Sequence, residues 1–386
     1  MKVSGSRFQV SGGGRKSTAV GSCRLLPIAA VIAACFLAAS PLVNAQESAE
    51  PAPDPEPPTL DASSADRAPE LTDEASEAID KGLKYLLANQ RADGSWASTE
   101  SGDRAIAITS LALMAFMSKA EFPGAGPNGA ALDKAKDWLL AQAKDAPDGY
   151  LGSTMYEHGL AILALTEMWG MTQDPKDEDA MQKAIKAGVE VIIRSQSAGG
   201  GWRYQPTPTA GHDTSVTVMV FIALASARQA GVVVPNKTIA RVVTYLESAT
   251  SQKTGGFNYI PTGSSKNDSI ACTGGGAYAA QLAGKRDSEM VKSALRYLTE
   301  RSPGIINNNF GYYYYGHYYA IHAMVQAGDD HYAKWYPLIR DALIRKQTAQ
   351  GAWPGKATGA KVVGFETPMA IIILATPHRY IPIYQR

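Results

Sequence analysis

Carboxylate, imidazole and phenol side chains recur in this chain just where apolar helical runs begin. Asp103 and Arg104 precede one such run, and Tyr156, Glu157 and His158 open the next. His212 and Asp213 stand before a third and Asp268 before a fourth. Tyr314, Tyr315, His317, Tyr318 and Tyr319 open a fifth, and Glu366 precedes the last. Asp213, Glu366 and His212 form the acid–base set, because a carboxylic acid becomes a proton donor when burial raises its pKa and histidine titrates near neutrality. Asp103, Tyr156, Glu157, His158, Tyr315, His317, Tyr318 and Tyr319 form the ligand-contacting set, since a few convergent polar groups around an apolar hole make a small-molecule site. The tyrosines supply an aromatic platform that stabilises a cation or stacks on a sugar ring. Tyr314, Tyr318 and His322 are spaced by four, as are Tyr315 and Tyr319, so each set shares a helix face. Asp268, Cys272 and His317 are the one weak metal candidate, each a residue type that ligates zinc. No other cofactor is signalled.

A plainer role stands beside each of these. Asp103, Asp213 and Asp268 sit where an N-cap belongs, and acids favour the positive end of a helix. Thr367-Pro368 after Glu366 fits a helix start. A buried histidine is commonly a hydrogen-bonded core residue, Cys272 a small apolar one, and tyrosines pack.

The elements that position these residues alternate in kind. Amphipathic runs fall at 77–87, 132–142, 181–196, 239–246, 290–298 and 335–347. Runs apolar nearly all round fall at 105–117, 159–169, 216–227, 270–282, 318–325 and 368–374. A helix apolar on every side is buried and an amphipathic one is half wet. Six such pairs predict an all-α (α/α)6 toroid, with an inner ring of buried helices that all start at one end. Between the two helices of a pair lies a recurrent loop: Gln90…Gly94-Ser95-Trp96, Gln142…Gly149-Tyr150, Gln196…Gly200-Gly201-Trp202, Gln252…Gly255-Gly256-Phe257 and Gln347…Gly351-Ala352-Trp353, with a degenerate copy at Asn309-Phe310-Gly311-Tyr312. Self-similarity near 50 residues marks a repeat architecture. Glycine ends the outer helix, the glutamine amide satisfies free carbonyls, and the aromatic wedges against the next hairpin.

The N-terminal part reads differently. Residues 1–45 carry basic groups, a fifteen-residue apolar run at 25–39 and the small-x-small site Val43-Asn44-Ala45, which predicts a signal peptide and export to the periplasm or exterior. Cys35 as a lipoprotein acceptor is the alternative. Residues 46–73 are rich in proline and acid and predict a disordered spacer, leaving 74–386 as the toroid domain. After cleavage only Cys272 remains, so no internal disulfide forms. The mild charge of the folded part excludes nucleic acid as a partner, and the mature chain has no apolar run long enough to span a membrane.

Gln90-x-x-Asp93-Gly94-Ser95-Trp96, with the shorter versions at Trp202 and Trp353, resembles the repeat motif of the squalene-cyclase and protein-prenyltransferase superfamily. Tyr156-x-His158-Gly159 and Tyr315-Gly316-His317-Tyr318-Tyr319 are similar to secreted bacterial members without assigned activity. The resemblance covers about residues 74–380 and implies an α/α toroid with a central cavity. The catalytic signatures of the enzymes are missing. Asp177-Glu178-Asp179-Ala180 falls short of the cyclase D-x-D-D, and Asp268 and Cys272 are four apart where the prenyltransferases space theirs by two. The expectation is an exported repeat protein whose cavity binds an apolar or carbohydrate ligand. The alternatives are a terpenoid cyclase-like enzyme using Asp213 or Glu366 as acid, and a polysaccharide lyase or hydrolase, since such enzymes also use this toroid.

Overall fold

The computed structural model describes residues 70–97, 104–172, 174–261, 268–307, 312–355 and 363–385. The predicted signal peptide, most of the predicted spacer, Asp103 and the degenerate loop copy at Asn309-Phe310-Gly311 lie outside the described residues. Twelve α-helices are found among them: α1 (Asp73–Ala88), α2 (Ala105–Met117), α3 (Gly129–Lys144), α4 (Met155–Met168), α5 (Pro175–Ser195), α6 (Thr214–Gln229), α7 (Asn236–Ala249), α8 (Ile270–Leu282), α9 (Glu289–Ile305), α10 (Tyr313–Ala327), α11 (Asp329–Lys346) and α12 (Glu366–Leu374). The even-numbered helices are buried almost throughout, and the odd-numbered ones bury a single face. Each even helix packs on the next, and α12 packs back on α2, which closes a six-membered inner ring. The fold is an (α/α)6 toroid.

The repeat loops hold adjacent hairpins together. In three of them the glutamine Nε2 donates twice, to the carbonyl of the loop glycine and to a carbonyl of the next outer helix. Gln90 reaches Gly94 and Ala131, both at 2.8 Å; Gln196 reaches Gly200 and Thr238; Gln347 reaches Gly351 and Ala78. The last of these joins the sixth hairpin to the first. The indole Nε1 of Trp96, Trp202 and Trp353 turns back to Leu86, Ile192 and Leu343 O of its own outer helix, at 2.7–2.8 Å. Its backbone N–H goes forward to the hydroxyl of Thr109, Thr217 or Thr367 on the following inner helix. Each tryptophan is thereby fixed to both helices of its hairpin. Gly351, at φ +94°, shows why the loop needs glycine: a Cβ there would lie 2.3 Å from Lys81 O.

Two glutamines expected in this role do not perform it. The position four before the loop glycine is Asp145 in the second hairpin and Ser251 in the fourth, so Gln142 and Gln252 are out of register. The wedge in the second hairpin is Leu151 rather than Tyr150. Its N–H goes to His158 Nδ1 at 3.1 Å, where the first, third, fourth and sixth hairpins use threonine.

Candidate functional site

Because every hairpin runs out on the odd helix and back on the even one, the inner helices share one end, the mouth of the ring. Asp213 is the N-cap of α6 there. Its Oδ1 accepts from Val216 N–H (3.0 Å) and Ser215 Oγ (2.7 Å), and the side chain is fully buried. Its Oδ2 has no hydrogen-bond partner, with Arg203 Nε at 3.9 Å. Burial raises the Asp213 pKa against the lowering effect of those bonds. Its charge is felt by Tyr245, Tyr259, Cys272 and Tyr315, which places these groups around it.

The tyrosines of α4 and α10 meet across the ring. Tyr156 and Tyr315 lie with ring centroids 6.1 Å apart, and both stay partly exposed. The Tyr156 hydroxyl is buried without a hydrogen bond, while Tyr315 reaches Ser215 O at 3.4 Å. Tyr319 forms the floor, fully buried, with its centroid 4.8 Å from Tyr315 and its hydroxyl 3.3 Å from Met219 Sδ. From Tyr319 a succession of buried aromatic contacts continues through Tyr318 (4.9 Å from Tyr319), His322 (5.1 Å) and Tyr384 (3.8 Å).

Of the sequence-predicted residues, Asp213, Tyr156, Tyr315 and Tyr319 come together. The others are placed elsewhere. His212 sits beside Asp213 but turns to Ser197 Oγ (3.1 Å) and the edge of Tyr245, and burial lowers its pKa. Glu157 is the partner of Thr154 in a capping box and accepts from Ser153 N–H and Oγ, so its carboxylate is spent on the helix start. His158 accepts from Leu151 N–H and donates through Nε2 to Gly188 O at 3.0 Å, and burial holds its pKa down at about 4. Tyr318 lies at the base, bonded to Tyr384 Oη. His317 faces the outer ring, against Tyr313 and Trp335, with Nε2 3.4 Å from Ile305 O. Asp268 accepts from Thr254 and pairs its backbone with Asn258, and the cap of α8 is Ser269 instead. The weak zinc trio is therefore not assembled, and the described residues hold no group of three metal-ligating side chains. Glu366 lies in the first turn of α12, opposite α6 in the ring, near Tyr314, with its pKa raised by burial.

Residues the sequence reading missed complete the mouth. Tyr204 and Tyr259 share a hydrogen bond between hydroxyls (2.9 Å), and the Arg203 guanidinium lies 5.8 Å from the centre of the Tyr204 ring. Tyr204 O receives Met155 N–H and Tyr259 O receives Thr214 N–H, so these rim residues stand at the starts of α4 and α6. Tyr312 is 82% exposed, stands 6.4 Å from Tyr315, and takes the left-handed conformation at φ +65°. The signal for Arg203 and Tyr204 was their place directly after Gly201-Trp202.

Solved structures share this architecture. A type II terpene cyclase, MstE from Scytonema, in complex with geranylgeranyl dihydroxybenzoate, matches with TM-score 0.55 at 12% identity, over 80% of this chain and 98% of that one. An α-1,6-mannanase of Salegentibacter in complex with α-1,6-mannotriose matches with TM-score 0.55 at 11% identity, over 78% and 98%. A protein from Actinoplanes matches with TM-score 0.54 at 18% identity, over 79% and 99%. The shared feature is the α/α toroid. No protein-family model matches the chain, and neither does any curated protein. No described helix is long and apolar enough to cross a membrane.

Proposed function

We propose that this is an exported binding protein that takes a compact, hydroxyl-bearing ring, a carbohydrate unit, at the mouth of the toroid. The observation that carries the reading is the fully buried Asp213 Oδ2, which makes no hydrogen bond and has only the distant Arg203 Nε at 3.9 Å, beside the part-exposed rings of Tyr156 and Tyr315. A buried polar atom without a partner is costly, and a ligand hydroxyl supplies what it lacks. Phenol rings give a sugar its stacking faces, and Tyr204, Tyr259 and Tyr312 extend that surface along the rim. A carbohydrate fits better than an isoprenoid because Tyr319, Tyr318, His322 and Tyr384 are buried and packed ring against ring behind Tyr315, where a long polyene chain would need open space. The export reading rests on the apolar run at 25–39 and its cleavage site.

The test is calorimetric titration of the purified protein with gluco-, manno- and uronic-acid oligosaccharides and with geranylgeraniol. Saturable binding of an oligosaccharide, weakened at least about tenfold in Tyr315→Ala and in Asp213→Asn, is expected, the loss of one stacked or charge-assisted contact being about 1.4 kcal/mol or more. Binding of geranylgeraniol alone, or no binding at all, overturns the reading. A hydrolytic variant is favoured by one further fact. Asp213 and Glu366 stand on opposite helices of the ring and burial raises both carboxyls, which is how one of two acids is kept as a proton donor. It requires release of reducing sugar that both Asp213→Asn and Glu366→Gln abolish.

A further inference from the structure

The other end of the ring holds a second buried polar cluster that the mouth does not use. Glu167, at the end of α4, is 6% exposed. Its Oε1 accepts from Ser226 Oγ on α6 (2.6 Å) and its Oε2 from the backbone N–H of Ile383 (3.3 Å). His322 on α10 is 1% exposed and neither ring nitrogen has a hydrogen bond. It lines a crevice of about 10 Å³, room for roughly one water, together with Ser118, Thr376 and Tyr384.

What covers this cluster is the chain's own C-terminal segment, residues 376–385. Ile383 and Tyr384 are buried in the base of the ring. Tyr278 Oη on α8 donates to Ile383 O at 2.6 Å, Gln326 on α10 donates to Gln385 O, and the Tyr384 hydroxyl bonds that of Tyr318. The Tyr384 ring stacks on His322 at 3.8 Å and 11°, with Tyr318 edge-on at 88°. Three inner helices thus grip three consecutive residues near the end of the chain. The slot reads a phenol: a flat face, an edge and a hydroxyl partner.

We infer that residues 376–385 form a strap over a second internal site at the base of the toroid, built from Glu167, His322 and Tyr318, which takes a phenol-bearing ligand in place of Tyr384. The strap answers to pH through Glu167. Burial pushes that carboxyl up to about 7 against the lowering effect of its two donors. The titratable groups that feel its charge are Tyr278, Tyr318 and Tyr384, phenols that stay neutral below pH 10. His322, stacked on Tyr384, is kept neutral by burial down to about 3. With the strap withdrawn, Glu167 meets water and returns toward its ordinary 4.5. The closed form therefore binds the proton more tightly, so closure is favoured below pH 7 and weakens as pH rises through 7. Between pH 5.5 and 8 the closing equilibrium weakens about 30-fold by this linkage.

Amide hydrogen exchange of the peptide covering residues 376–385, in the intact protein and corrected for intrinsic rates, tests both parts. Protection about 30-fold weaker at pH 8 than at pH 5.5 is expected, with that dependence lost in Glu167→Gln, which keeps an acceptor for Ile383 N–H. At pH 8, 4-methylphenol is expected to loosen the strap further, and cyclohexanol to leave it unchanged. Equal protection at the two pH values, or a pH dependence that survives in Glu167→Gln, overturns the switch. No response to 4-methylphenol, or an equal response to cyclohexanol, overturns the phenol site.

Discussion

His158 takes in the second hairpin the place that a threonine hydroxyl holds in the first, third, fourth and sixth. It receives the backbone N–H of the wedge residue, here Leu151, and its other nitrogen ties α4 to Gly188 of α5. His158→Ala leaves a buried N–H and a buried carbonyl unpaired, and a loss of about 3 kcal/mol is expected in urea denaturation. Asp213→Asn is the informative contrast. Asparagine caps a helix as aspartate does, so stability is expected to change by less than about 1 kcal/mol while ligand binding falls. From the sequence both residues read as an acid–base or ligand group and as a structural one, with nothing to choose between them. What separates them is the number of bonds already made. His158 has both nitrogens engaged, and Asp213 keeps one oxygen without a hydrogen bond.

At the level of elements, the glutamine loops are ties between hairpins rather than ends of single helices. Gln347 closes the circle, since Ala78 belongs to the first helix. Gln347→Ala is expected to cost about 2 kcal/mol, because it frees two carbonyls and opens the seam, while Gln142→Ala, outside the register, changes the denaturation midpoint by less than about 0.5 kcal/mol equivalent. The sequence showed five glutamines near five glycines, and spacing alone made them look alike. Counting back from the positive-φ glycine separates them: four residues in three loops, seven for Gln142 and three for Gln252. The same offset explains Tyr150, whose aromatic ring fits the pattern by type and misses it by one position.

For the molecule as a whole, the buried ionisable groups set the response to pH. His158, His317 and His322 are held down to about 4, 3 and 3 by burial, from an ordinary 6.5. The stability their neutral forms carry is fully present above pH 6.5 and is lost as pH falls toward those values. Glu167 acts in the opposite sense. Its contribution is fully present below 4.5 and is lost as pH rises through 7. Between 6.5 and 4.5 these histidines, joined by His212, His331 and His378, which burial also lowers, oppose Glu167, Asp213 and Glu366, whose carboxyls burial raises. The midpoint of urea unfolding is therefore expected to peak near pH 6.5–7 and to fall on the acid side, by about 1.4 kcal/mol per pH unit for each net proton. In Glu167→Gln the acid limb steepens and the loss on the alkaline side of the peak, complete near pH 7, disappears.

The sequence by itself determined the six hairpins, their division into a half-wet and a buried ring, and the loops that set the period. Those follow from hydrophobic periodicity and from glycine, which act over one or two turns of chain. Only the tertiary structure decided which polar groups remain available. Hydrogen-bond satisfaction is settled by neighbours far away in the chain: Tyr315 meets Ser215 of α6, and Glu167 meets Ile383 at the other end of the domain. The closure that brings α12 against α2 is what turns a row of helix starts into one mouth and one base.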